Sequence, residues 1–267
     1  VRAVQPKQAL ICAPTFSEYR DALHEIGCNV IEYPLDDAQQ FVLDDRFPCA
    51  LSNDLDMIFL CTPNNPAGKL IDPDLLKKIA AYCSKNQIIL ICDECFLRFC
   101  AHAEAYSLRP YLYANCIILN AFTKLYAMPG IRLGYALCGS EQLAEKIRNT
   151  GQFWSVSVPA QAAGIAALNE SGWIENTVAY VSSERCRLTN NLRESGVFVY
   201  DGTANFLLLK SHINLVSDLE QRKILIRSCN DFSGLSKEHF RIAVRTISEN
   251  NVLLSAVREV YAKCGQL

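Results

Sequence analysis

Short, continuous apolar runs punctuate the first half of the chain, each closed by a polar or turn-forming cluster. They cover residues 9–13, 28–33, 57–61, 87–92, 116–119 and 131–138. Runs of that length without alternation predict strands buried on both faces. Helical spacing fills the gaps. Ser17 is placed to cap a helix whose inward stripe is Tyr19, Leu23 and Ile26. A second helix is predicted over 72–85 with Pro73 in its first turn, followed by helices over 140–148 and 159–168. A long amphipathic helix over 173–194 carries Val178, Val181, Arg185, Leu188 and Leu192 at helical spacing. Residues 35–53 are polar and Asp-rich, with little periodicity.

After residue 194 the pattern changes to short strands (198–200, 205–209, 224–229 and 240–244) and a last helix over 249–263. The fold class expected is therefore α/β: a mostly parallel sheet flanked by helices, plus a smaller C-terminal α+β domain. The division falls between 1–169 and 170–267, with the helix from residue 173 as the hinge.

Composition narrows this picture by exclusion. The 267 residues are half hydrophobic and carry a formal charge of −2. That is enough for a large core, but it gives no electrostatic footprint for nucleic acid or an anionic membrane. No apolar run approaches the roughly 20 residues that span a bilayer, and no signal-peptide layout opens the chain. Thirteen cysteines lie mostly inside apolar runs, as reduced, buried thiols do in a cytoplasmic protein. Cys92-Asp-Glu-Cys95 has the spacing of a metal clip, but it has no second pair and few histidines to complete it.

Three polar signatures stand directly after apolar strands: Asn64-Asn65, Asp93 and Lys124. In a parallel sheet these positions share the carboxyl edge, where open α/β folds bind ligands. Taken singly, they are a turn, a helix cap and a surface lysine. Together they suit pyridoxal 5'-phosphate. Lysine can hold its aldehyde as a Schiff base, a carboxylate can keep its ring nitrogen protonated, and an amide can donate to its ring oxygen. A lysine beside a buried strand, with no acid within four residues, is also open to desolvation, which favours the neutral amine.

These residues resemble the fold-type I class I/II aminotransferase family over nearly the whole chain. Asn64-Asn65-Pro66-Ala67-Gly68, Asp93-Glu-Cys-Phe96, and Thr123-Lys124 with Arg132 match its signatures in order. The resemblance implies that Lys124 is catalytic. It also implies that Phe16, Asn65, Asp93, Thr123, Lys124 and Arg132 bind the cofactor: Phe16 by stacking on the ring, Arg132 by meeting the phosphate. Two further stretches, 226–235 and 241–246, resemble the threonine-phosphate decarboxylases of cobalamin biosynthesis and the related histidinol-phosphate aminotransferases. By that likeness Arg227 holds a substrate phosphate and Arg241 a substrate carboxylate, with Asn65 also at the substrate. Two arginines suit a substrate with two anionic ends.

Some positions depart from the family pattern. Ala121 stands where a hydroxyl residue is usual, and Phe96 where a tyrosine would donate to the ring oxygen. Ser228 replaces an aspartate beside Arg227, which should leave that arginine less rigidly held. The family's N-terminal arm and Gly-rich phosphate loop are absent upstream of Val1, so the chain reads as a fragment. The function expected is decarboxylation of a phosphorylated amino acid such as threonine phosphate. The alternatives are a histidinol-phosphate type of transamination and a non-catalytic remnant. The partners expected are the small-molecule substrate and a second copy of the chain as a homodimer, with neither nucleic acid nor membrane.

Overall fold

In the computed structural model, which describes residues 1–263, the early apolar runs pair as one sheet. Its elements in chain order are β1 (Gln8–Ala13), α1 (Ser17–Glu25), β2 (Asn29–Pro34), β3 (Met57–Cys61), α2 (Pro73–Lys85), β4 (Ile89–Asp93), β5 (Cys116–Ala121), α3 (Phe122–Leu125) and β6 (Gly134–Cys138). The strand order is β2-β1-β3-β4-β5-β6, parallel from β2 to β5, with β6 antiparallel on the edge. Alternate residues of each strand feed different cores, because side chains in a strand point to opposite faces. Leu10, Ile58, Leu60, Leu90 and Ile118 pack with Leu75, Leu76 and Ile79 of α2. Ile11, Met57, Phe59, Ile91 and Ile117 pack with Tyr19 and Leu23 of α1. Both faces are covered, which is why these runs carry no polar alternation.

Helices α4 (Glu141–Thr150), α5 (Val158–Asn169) and α6 (Trp173–Glu194) lead to a second sheet. It contains β7 (Phe198–Val199), β8 (Phe206–Lys210), β9 (Arg227–Ser228) and β10 (His239–Ala243), with α7 (Leu215–Glu220) and α8 (Ile247–Lys263) completing the chain. Its order is β7-β8-β10-β9, all antiparallel. Leu207, Leu209, Phe240 and Ile242 pack on Leu188 and Leu192 of α6 and on Leu254 and Val257 of α8. Tyr200, Leu208, Cys229 and Phe232 join the core of the first sheet instead. The second sheet is thus held between its own helices and the larger sheet.

Several boundaries differ from the sequence reading. Ser17 does not cap α1: the capping residue is Phe16, with no side-chain bond, and Ser17 is already the first helical residue. The strand expected from Gln87 begins at Ile89, since Gln87 takes a left-handed φ of 58°. The strand expected over 224–229 pairs only at Arg227–Ser228. Residues 35–53 form two short 3₁₀ turns and bury Phe41, Leu43 and Phe47, an aromatic contribution that their polar composition hid. Arg185 leaves the apolar stripe of α6 and donates to the carbonyls of Thr203 (2.9 Å) and Ala204 (3.1 Å). Glu184 joins the buried face instead, bonded to Arg187 and Asn250.

α8 opens with a capping box that the sequence spells as Thr246-Ile-Ser-Glu249. The Glu249 carboxylate accepts from Thr246 N (3.2 Å) and Oγ1 (2.6 Å), and Arg245 Nε donates to it at 2.9 Å. Arg245 above all, then Thr246, lower the Glu249 carboxyl from 4.5 to about 2. A carboxyl depressed on folding stabilises above its unfolded value, and the gain is lost as pH falls through the folded one. Glu249→Gln should therefore lower the melting temperature at pH 7. Thermal scans at falling pH should show the gap to the parent chain narrowing below pH 4.5 and closing near pH 2.

Candidate active site

The carboxyl ends of β1, β3, β4 and β5 lie along one edge and present Thr15-Phe16, Asn64-Asn65, Asp93 and Lys124 there in turn. Asp93 ends β4 with both oxygens engaged. Tyr19 Oη donates to Oδ2 at 2.6 Å and the Cys95 amide to Oδ1 at 2.9 Å. Tyr19 is buried, its ring stacked on Phe59 at 5.0 Å and met edge-on by Phe16 at 5.6 Å. Burial first, then Cys61 and Asp93, push its phenol well above the usual value, so it stays a donor. Phe16 is 37 % exposed, an aromatic face left open beside this carboxylate.

The two asparagines divide their work. Asn64 is structural: its Nδ2 donates to Pro14 O (2.9 Å) and its Oδ1 accepts from Thr15 Oγ1 (2.9 Å). Asn65 is buried and its Oδ1 accepts from Nη1 of Arg241 on β10. The loop is tied to the second sheet again at Gly68, whose carbonyl accepts from Thr203 N (2.9 Å) and Oγ1 (3.0 Å). Gly68 has φ +72°, and a Cβ there would lie 3.2 Å from Gly202 Cα. Only glycine meets both conditions without strain.

Lys124 sits on α3, the single turn that follows β5. Its side chain is exposed, contrary to the buried setting read from the sequence, because α3 carries it past the strand end. Its Nζ lies 5.2 Å from the centre of the Phe96 ring, and it forms no ion pair with any described residue. Phe96 in turn packs edge-on against Phe206, over which Arg241 lies at 5.3 Å. A cavity of about 780 Å³ opens here, lined by Lys124, Phe96, Phe206, Arg227 and Arg241 among others. Asp93 and Asn65 are one contact removed from it: Cys95 feels the charge of Lys124, and Asn65 bonds Arg241.

The antiparallel register sets Arg227 directly across from Arg241. Like charges in register destabilise a ladder unless something compensates them. Arg227 is compensated by Asp231 at 2.5 Å, four residues on, so the expectation that Ser228 leaves it loosely held is not met. Arg241 is partly buried and has no carboxylate partner among the described residues. Burial, with Arg227 adding to it, draws its guanidinium below the usual value.

Not every expected residue joins this cluster. Arg132 lies before β6 rather than on a strand, at a left-handed φ of 55°. It is exposed and donates to Pro129 O at 2.9 Å. Thr123 is half-buried on the same turn as Lys124. Neither lines the cavity. Tyr19, Thr15, Phe206 and Asp231 were not singled out by the sequence as site residues. Tyr19 was legible only as a core position of α1, yet a hydroxyl-bearing aromatic in the first turn of the helix after β1 was the available signal.

A sheet edge of this kind, facing a second antiparallel sheet across an arginine-lined cavity, is the architecture of the pyridoxal-phosphate-dependent transferases. The chain belongs to the aminotransferase class I and II family, whose model matches residues 2–257. Enzymes of this family work with pyridoxal 5'-phosphate. The chain is 38% identical over 263 residues to a threonine-phosphate decarboxylase of Salmonella typhimurium, covering 96% of this chain and 72% of that one. It is 31% identical to an adenosylcobalamin biosynthesis bifunctional protein of Leptospira interrogans, covering 97% of this chain and 31% of the other. Its structure is similar to a histidinol-phosphate aminotransferase from Clostridium acetobutylicum with a TM-score of 0.92 and 27% identity, over 98% of this chain and 80% of that one.

The residues present fit the cofactor. An anchored carboxylate can accept from a ring N–H, and a lysine without a counter-ion, on the wall of the cavity, can meet an aldehyde. The tie between the two sheets at Gly68 is testable. Gly68→Ala should cost about 1–3 kcal/mol of stability through strain at positive φ, read by urea unfolding. It should also weaken cofactor uptake, because Asn65 moves with the loop.

Proposed function

We propose that the chain decarboxylates a phosphorylated amino acid, with threonine phosphate as the substrate in view, as a step towards cobalamin. The observation that carries this reading is Arg241, a partly buried guanidinium without a carboxylate partner among the described residues, in register with Arg227 in the cavity that Lys124 also lines. A partly buried, uncompensated cation is costly, and a ligand with two anionic ends relieves the cost. The names of the Salmonella and Leptospira relatives support the same substrate and pathway.

When bound, pyridoxal phosphate draws electrons away from the substrate Cα. Around it, Lys124 is the primary amine that holds the cofactor and then returns a proton to Cα once carbon dioxide has left. Asp93 would accept from the protonated ring nitrogen, and Asn65, whose Oδ1 is taken by Arg241, would donate from Nδ2 to the ring oxygen. Phe16 would cover the ring, and the family likeness gives the cofactor phosphate to Thr123 and to Arg132, which would have to leave Pro129 O to reach it. Arg241 would take the substrate carboxylate, and Arg227 the substrate phosphate in exchange for Asp231, each by charge-assisted hydrogen bonds. Phe96 has no hydroxyl to donate to the ring oxygen, so Asn65 serves that oxygen alone. Residues 1–169 form the cofactor domain and 170–267 the smaller one.

A homodimer accompanies this reading. Phe153 and Trp154 are 95 % and 97 % exposed, and Val158, Ile165 and Leu168 of α5 continue the apolar surface. Patches of that kind mark interaction sites, and a second copy of the chain is the occupant that the family likeness supports. The described cysteines are all free, which supports a cytoplasmic setting.

Transamination of the histidinol-phosphate type is the second reading, favoured by the Clostridium structure. Incubation with cofactor and O-phosphothreonine separates the two. Release of carbon dioxide with an amino alcohol phosphate is expected. Conversion of the cofactor to its amine form by glutamate or histidinol phosphate, without carbon dioxide, would overturn decarboxylation. Lys124→Ala should abolish both the reaction and the visible absorption band of bound cofactor. Arg227→Gln should lower kcat/KM for the phosphorylated substrate by about 10- to 100-fold, the worth of a hydrogen bond between charged groups.

A further inference from the structure

Two donors converge on Asp93, and they differ in kind. The Cys95 amide is fixed by the backbone where β4 ends, so any residue at position 95 except proline supplies it. The Tyr19 hydroxyl comes from another element, α1, across 74 positions of sequence. Its ring has little freedom: it is buried, stacked on Phe59 with an interplanar angle of 15°, and met by Phe16 at 84°. A phenol held in that way offers its proton in one direction, and at 2.6 Å that direction is Asp93 Oδ2. The neighbouring Cys61 thiol, also buried, donates to Pro63 O at 3.4 Å, so it does not take the place of the phenol at the carboxylate.

We propose that Tyr19 is a positioning residue: its hydroxyl fixes the Asp93 carboxylate in the orientation that receives the protonated ring nitrogen of the cofactor. The inference rests on reading Asp93 as the ring-nitrogen partner. A carboxylate with one hydrogen bond on each oxygen keeps further lone pairs for a third donor. The same turn of α1 presents Phe16, so a single short segment sets both the open aromatic face and the aim of the carboxylate. Groups that hydrogen-bond a ligand-binding side chain orient it, and their loss is felt strongly at the ligand.

The test uses the full chain stripped of cofactor and two ligands: pyridoxal phosphate, and its 1-deaza analogue, in which carbon replaces the ring nitrogen. Tyr19→Phe keeps both ring contacts and removes one oxygen. It is expected to weaken pyridoxal phosphate by about tenfold or more and to leave the affinity for the deaza analogue unchanged. Equal weakening of both ligands, including loss of all binding, would show a merely structural tyrosine and overturn the proposal. No weakening of either would overturn it as well. Asp93→Asn run in parallel separates the two levels. If it too fails to discriminate between the ligands, the reading of Asp93 is at fault. If it discriminates and Tyr19→Phe does not, the fault lies with Tyr19 alone.

Discussion

Arg241 is the group on which the arrangement of this molecule turns. It projects from a central strand of the second sheet, and its guanidinium reaches back to Asn65 at the edge of the first. Its charge is met by an amide oxygen and an aromatic face rather than by a carboxylate. Both contacts orient the guanidinium without neutralising it, so the field of the cation remains available in the cavity. Arg227 shows the contrast. It is equally close to that cavity but spends its charge on Asp231, and its exposure makes that pairing inexpensive.

The junction between the sheets is built to keep this contact in register. Gly68 and Thr203 join the two by main-chain and side-chain hydrogen bonds, where a Cβ at Gly68 would crowd Gly202 Cα at 3.2 Å. Asp37, in the loop after β2, binds Lys210 at 2.6 Å and also accepts from Tyr200, which adds a polar tie on another side. Between these ties, Leu208, Cys229 and Phe232 continue the core of the larger sheet into the smaller one. The cavity is therefore a consequence of docking: Phe96 and Lys124 line it from the first sheet, and Phe206, Arg227 and Arg241 from the second.

Legibility of the site in the sequence followed the reach of each interaction. Asp93, Asn65 and Lys124 could be placed together because strand order and parallel direction suffice to align strand ends. Arg227 and Arg241 required the family likeness, since two short strands separated by a loop do not reveal their register. Asp231 as the partner of Arg227 was missed, although an i,i+4 spacing was present, because the segment is not helical and spacing alone had no geometry. Arg132 was read onto a strand. A 3₁₀ turn and a left-handed residue instead turn it to solvent before β6 begins, a local backbone choice that the apolar run beside it obscured.

By itself, the sequence determined the layering. Uninterrupted apolar strands between amphipathic helices can bury themselves in few other ways than a parallel sheet covered on both faces, and the loss of that pattern after residue 194 announces a different sheet. It also determined which chemistry-bearing residues share an edge, because that depends on strand direction alone. The tertiary structure decided everything that depends on closing distance between remote segments. It set Tyr19 against Asp93, Arg241 against Asn65, and Arg227 opposite Arg241, and it left Lys124 on an exposed turn over Phe96. Hydrogen bonds and ion pairs act over a few ångströms, whereas the residues that make them here lie tens to hundreds of positions apart. Their meeting is written in the packing of the two sheets rather than in any local pattern.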